Sequence, residues 1–154
     1  MTIRKMNLID IKGGTTAQRA YAHSMIEYCI HKLMPRMETL VIDLKLTKLK
    51  SDAMGYCLRE SNREYSLEVD HTDGLRKMLE TLAHEMVHVK QYARREMNDW
   101  VIEDKFYKWK GDFVPESTDY WDLPWEIEAN GREVGLFVRW AQDNDHAKKA
   151  WTQL

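Results

Sequence analysis

The chain has 154 residues, 44% of them apolar and 31% charged, with a formal net charge of -2 from 23 basic and 25 acidic side chains. That length suits one domain spanning 1–154, able to bury a core without covalent staples, and the balance excludes a disordered chain. No basic excess asks for nucleic acid, and no apolar run approaches the roughly 20 residues of a membrane span, so neither partner is expected.

The first residues carry charge and lack an apolar run of signal-peptide length, which points to the cytoplasm, or the host cytoplasm for a phage-encoded chain. Cys29 and Cys57 form no C-x-x-C. So sparse a pair gives neither a disulfide framework nor a thiolate metal site, and both are expected as buried thiols.

In chain order, Gly13-Gly14 separates a short N-terminal arm from a helix over about 15–34, in which Tyr21, Met25, Cys29 and Leu33 recur at helical spacing. Thr15 or Thr16 can cap its start, and Pro35 ends it. From 39 to 48 the period changes to two, the mark of a half-buried strand. Residues 55–60 and 64–69 read as two further strands joined by a hairpin loop at Ser61-Asn62-Arg63. A second long helix follows over about 75–96, with Thr72 or Asp73 as its cap. An aromatic stretch then carries Phe106, Trp109, Phe113, Tyr120 and Trp121, with a possible short strand over 105–110. Pro124 opens a last long helix over about 125–142, and 146–154 docks as a final turn or two. This order predicts an α+β domain with a small, mostly antiparallel sheet, an N-terminal helix, a second long helix and a C-terminal helix.

Residues 84–88 read His84-Glu85-Met86-Val87-His88, an H-E-x-x-H. Positions i and i+4 lie one above the other on a helix, so both imidazoles can reach one ion. Glu85, turned about 100° away, can stand beside the metal as a base without binding it. Leu75, Leu79, Leu82, Met86, Val89 and Ala93 form the apolar stripe of this helix, and the two histidines project to roughly the opposite side.

A catalytic zinc needs a third protein ligand and an open position. The residue six beyond His88 is Arg94, so a third histidine at the metzincin spacing is absent. Residues 124–133 read PWEIEANGRE, and two glutamates compete there. On a wheel whose apolar side is Ile127, Val134, Phe137, Val138 and Ala141, Glu126 and Asn130 sit at the margin, whereas Glu128 points towards Arg132 and Arg139. Glu126 is therefore the expected ligand and Glu128 the alternative. Asn130 is placed to orient a ligand histidine by accepting its other ring N–H. The i, i+4 pair Gly131 and Gly135 suggests close approach to another element.

His84-Glu85-x-x-His88 followed by Glu126-x-Glu128-Ala129-Asn130 resembles the gluzincin branch of the zincin metallopeptidases. It is similar to ImmA/IrrE-type peptidases, to single-domain minigluzincins and to phage SprT-like peptidases. Asn130 stands where several gluzincin families have an acid. The resemblance implies a zincin-like fold, Zn²⁺ as cofactor, the first glutamate of E-x-E-A as ligand, and a peptide or protein substrate. It implies hydrolysis by a metal-activated water, with Glu85 taking its proton. Tyr120, Tyr92 and His71 are the candidates for oxyanion donor. The hairpin over 55–69 is the expected substrate edge. A non-catalytic zinc-binding regulatory protein of the same fold is the alternative; Glu85 argues against it, since a structural site has no use for a base.

Overall fold

Alternation along Val41–Thr47 builds the centre of the molecule: Ile42, Leu44 and Leu46 are at most 2% exposed while Asp43 and Lys45 face out. In the computed structural model, which describes residues 6–98 and 106–153, this segment is β2 of a four-stranded sheet. The others are β1 (Leu8–Gly13), β3 (Gly55–Ser61) and β4 (Glu64–Asp70), in the order β1-β2-β4-β3. Register pairs Ile42 with Tyr65, Leu44 with Leu67 and Leu46 with Val69, so six buried side chains form one layer of the core.

The α+β class holds. The expectation of a mostly antiparallel sheet is met by the β3–β4 hairpin but not by the rest of this sheet, where β1–β2 and β2–β4 are parallel. The N-terminal arm supplies the unforeseen strand β1; residues 1–5 of that arm lie outside the described residues. Parallel neighbours need a crossover, and α1 (Thr16–Leu33) provides it between β1 and β2. A capping box closes the start of α1: Thr15 Oγ1 accepts from the Gln18 amide at 3.1 Å, and Gln18 Oε1 accepts from the Thr15 amide at 2.9 Å. Gly13 has φ +83°, and a Cβ there would lie 2.0 Å from the Leu46 carbonyl oxygen, so only glycine makes this turn.

The remaining long helices are α2 (Leu75–Ala93) and α3 (Pro124–Asp143). They run alongside in opposite senses: the Arg76 guanidinium lies 4.7 Å from the Phe137 ring centre, and Gln91 Nε2 donates to the Trp125 carbonyl at 2.9 Å. With α1 and the sheet on one side and α3 on the other, α2 is buried nearly all round. The face opposite its apolar stripe is therefore covered rather than solvated.

On α3 the buried residues are Trp125, Ala129, Phe137, Trp140 and Ala141. Ile127, Val134 and Val138, expected inside, are 57%, 46% and 38% exposed. Gly131 and Gly135 also face open space: a Cβ on either meets nothing within 4 Å, so the expected close approach does not occur.

A second sheet is antiparallel, of β5 (Met97–Asn98), β6 (Phe106–Trp109) and β7 (Asp112–Pro115). It matches the strand expected over 105–110, whose first residue, Lys105, lies outside the described residues. Tyr107 and Trp109 pack on Trp125, with ring centres 5.6 and 6.2 Å away. Residues after His146 fold back as expected. Tyr21, Trp140, His146 and Trp151 meet in one aromatic cluster, and a 3-10 turn (Ala150–Thr152) ends the described chain. Among the described residues no helix is long and apolar enough to cross a membrane.

Candidate metal centre

One helical turn separates His84 from His88, and their rings stand edge to face with centres 4.9 Å apart. Glu126, in the first turn of α3, reaches across to both. Its Oε1 lies 3.0 Å from His84 Nε2 and 3.3 Å from His88 Nε2. Pro124 at the first helical position and the peptide amides of this first turn favour an acidic side chain here. Among the described residues these three form a group whose ligand atoms all lie within 4.8 Å of one another. Two imidazole nitrogens and a carboxylate oxygen are a common donor set for a divalent metal. A tetrahedral ion with bonds near 2.0–2.1 Å sets its ligands roughly 3.3–3.4 Å apart, close to the spacing Glu126 makes with each histidine. His84, His88 and Glu126 can therefore hold a metal ion.

Burial and carboxylate contacts oppose one another at these side chains. Burial disfavours a charged His84, but the hydrogen bonds from Glu126 and Glu133 outweigh it and push its pKa up to about 9. His88 is raised by the same contest of burial against Glu126. Burial works against the Glu126 anion too, yet the two histidines hold it well below the usual carboxylate range. The contacts thus favour charged imidazoles beside the Glu126 anion, and a metal bound there would displace imidazole protons.

Glu85 is 5% exposed on the floor of the cleft. Burial raises its pKa, opposed by the two histidines and reinforced by Glu126 and Glu133. It is not part of the three-residue group, as expected of a residue one position along from His84.

The cleft has a volume of about 570 Å³. β3 forms one wall through Gly55, Tyr56 and Cys57, and it is the edge strand of the sheet on this side. Cys57 is thus half-buried here, unlike the fully buried Cys29. Gly55 brings the strand close: a Cβ on it would lie 2.9 Å from Thr81 Cγ2 and 3.1 Å from Glu85 Oε1. Met97 and Trp125 line the cleft, so the aromatic segment shapes it through Trp125 while Phe113 stays 59% exposed.

Of the candidate donors, Tyr120 stands at the ligands. Its hydroxyl donates to Glu126 Oε1 at 3.1 Å, and burial raises its pKa, keeping the proton on. Tyr92 lines the cleft wall, whereas His71 does not line it.

The alternative ligand is not used, in line with the preference for Glu126, whereas the expectation for Asn130 needs correction. Glu128 is not with the ligands: it accepts from Lys90 Nζ at 2.7 Å, Gln91 Nε2 at 3.0 Å and Arg132 Nε at 3.1 Å. Asn130 does not reach a histidine either; its Nδ2 donates to the Tyr120 hydroxyl at 3.4 Å. The second ring nitrogens go instead to residues that sequence reading missed. His84 Nδ1 lies 3.2 Å from Glu133 Oε1, and His88 Nδ1 lies 2.7 Å from Gln91 Oε1. Spacing held a signal for both: Gln91 is three residues beyond His88 on one helix face, and Glu133 is two turns beyond Glu126. Compared with known proteins, the chain matches no family model, no curated protein and no solved structure.

Proposed function

We propose that this chain is a zinc metallopeptidase of the gluzincin kind, hydrolysing a peptide or protein substrate. The observation that carries the reading is the meeting of His84, His88 and Glu126 at one point of a cleft whose floor presents Glu85. A purely structural site is normally closed by four protein ligands, whereas three ligands at an open cleft leave room for substrate. A zinc ion held there would supply a Lewis acid and an acidified water.

The chain's own residues have the remaining work. Glu85, whose pKa burial raises above the ordinary carboxylate value, is suited to take a proton and pass it to the leaving amine. Tyr120 holds a hydroxyl proton at the cleft edge, where it can donate to an oxygen that gains charge. Among the described residues β3 is an edge strand, which favours an extended peptide laid along the Gly55–Cys57 wall.

Metal content by mass spectrometry tests the first half of this reading. Wild type should carry one zinc, and Glu126→Ala should lose it. A metal-free wild type refutes the proposal, and iron in place of zinc redirects it, since the same donor set serves iron oxygenases. Cleavage of a peptide library by the zinc-loaded protein tests the second half. Zinc binding without cleavage identifies a non-catalytic zinc protein.

A further inference from the structure

Gln91 is fully buried, and its amide can face only one way. Its nitrogen donates to two groups that can only accept, the Trp125 carbonyl at 2.9 Å and Glu128 Oε1 at 3.0 Å. Its oxygen is therefore the atom turned to His88 Nδ1 at 2.7 Å, and the imidazole must be the donor. Glu128 is itself fixed by Lys90 and Arg132, so the amide is held from behind by a charged group that cannot turn freely. At His84 a carboxylate, which only accepts, does the corresponding work: Glu133 Oε1 lies 3.2 Å from Nδ1.

We propose that Gln91 and Glu133 are positioning residues that fix both histidines with the proton on Nδ1 and turn each Nε2 towards Glu126, Gln91 as a clamped neutral amide and Glu133 as a charged acceptor. This rests on the metal reading of His84, His88 and Glu126. It also gives the second glutamate of Glu126-x-Glu128 a task, that of orienting the amide. A ring turned or protonated the wrong way presents N–H instead of a lone pair to a cation, so both residues act on metal affinity through the histidines.

The test is zinc affinity by competition with a chromophoric chelator, together with ¹⁵N–¹H spectra of the imidazoles in the zinc-loaded protein. Wild type should show two Nδ1–H signals protected from exchange. Gln91→Met should lose protection at His88 alone, Glu133→Leu at His84 alone, and each should weaken zinc binding by roughly 10–100-fold. Glu133→Gln keeps an accepting oxygen and should restore the His84 signal and most of the affinity. Glu133 lies on the cleft wall rather than in the core, so its variants carry the test should Gln91→Met fail to fold. Variants that bind zinc as tightly as wild type, with both signals intact, overturn the proposal and leave the metal site standing. A wild type that takes up no zinc overturns both.

Discussion

Gly55 and Glu85 face each other across the cleft floor, and a methyl group on the glycine would lie 3.1 Å from Glu85 Oε1. Thr81 Cγ2 at 2.9 Å and the Glu68 carbonyl oxygen at 3.2 Å block the other ways out. Gly55→Ala must therefore displace the carboxyl or push β3 from α2. The expected cost is about 1–3 kcal/mol of stability from overpacking. The loss in kcat/KM should be larger, roughly 10–100-fold, because a misplaced base is felt steeply. Zinc content should not change, since Gly55 touches none of the three ligands. Equal turnover in mutant and wild type would remove Glu85 from the mechanism.

Glu85→Gln separates chemistry from binding more sharply. The amide fits the same space and cannot take a proton. Peptide cleavage should fall by about 10²–10⁴-fold, the usual contribution of a general base, with zinc content unchanged. A mutant that loses its zinc as well would show Glu85 acting as a ligand.

His84 makes the metal-free protein sensitive to alkali. Its folded pKa, about 9, lies above the ordinary 6.5, because contact with Glu126 and Glu133 outweighs burial. A raised folded pKa stabilises fully below the unfolded value and is lost as pH rises through the folded one. In chelator, Tm should therefore decline between about pH 6.5 and 9. With zinc the ligands must be unprotonated, so this decline should vanish and zinc should bind more tightly as pH rises over the same range. Melting curves with and without metal across that window decide it. A flat profile in chelator would mean that His84 is not held between the two carboxylates.

The orientation of α3 can be tested without any metal. Phe137 is 1% exposed and Ile127 57% exposed. Phe137→Ala should cost about 3–5 kcal/mol, a large aromatic deletion in a packed core, whereas Ile127→Ser should stay within about 0.5 kcal/mol. The opposite order in urea unfolding would rotate α3 and carry Glu126 out of the cleft.

That rotation also shows where sequence reading succeeds and fails. A cap and a breaker mark α1, a clean two-residue period marks β2 and an apolar stripe marks α2, whose start is Gly74 without a side-chain cap rather than the expected Thr72 or Asp73. The H-E-x-x-H names two partners of the candidate metal group outright. Glu126 was preferred over Glu128 on a wheel that had the wrong face inside. The buried face of α3 carries Glu126 and Glu133 beside Ala129 and Phe137, so a count of apolar residues drifts towards Ile127, Val134 and Val138. A site built of charged groups hides its own helix face from hydropathy. The parallel pairing of β1 with β2 was invisible for another reason: it joins residues 33 positions apart, Leu8 with Val41, and nothing local in either strand specifies direction.

The order of elements along the chain has a consequence for synthesis. The four-stranded sheet is complete at Asp70, whereas the atoms of the candidate metal group arrive with His84, His88 and, 38 residues later, Glu126. A chain emerging from a ribosome thus offers two histidines over a finished sheet well before it can close the ligand set. Two imidazoles hold a cation less firmly than three converging donors, so on the proposed reading an ion would be held tightly only once α3 packs against α2. On the proposed reading, a chain truncated before Glu126 would lack the third donor of that group.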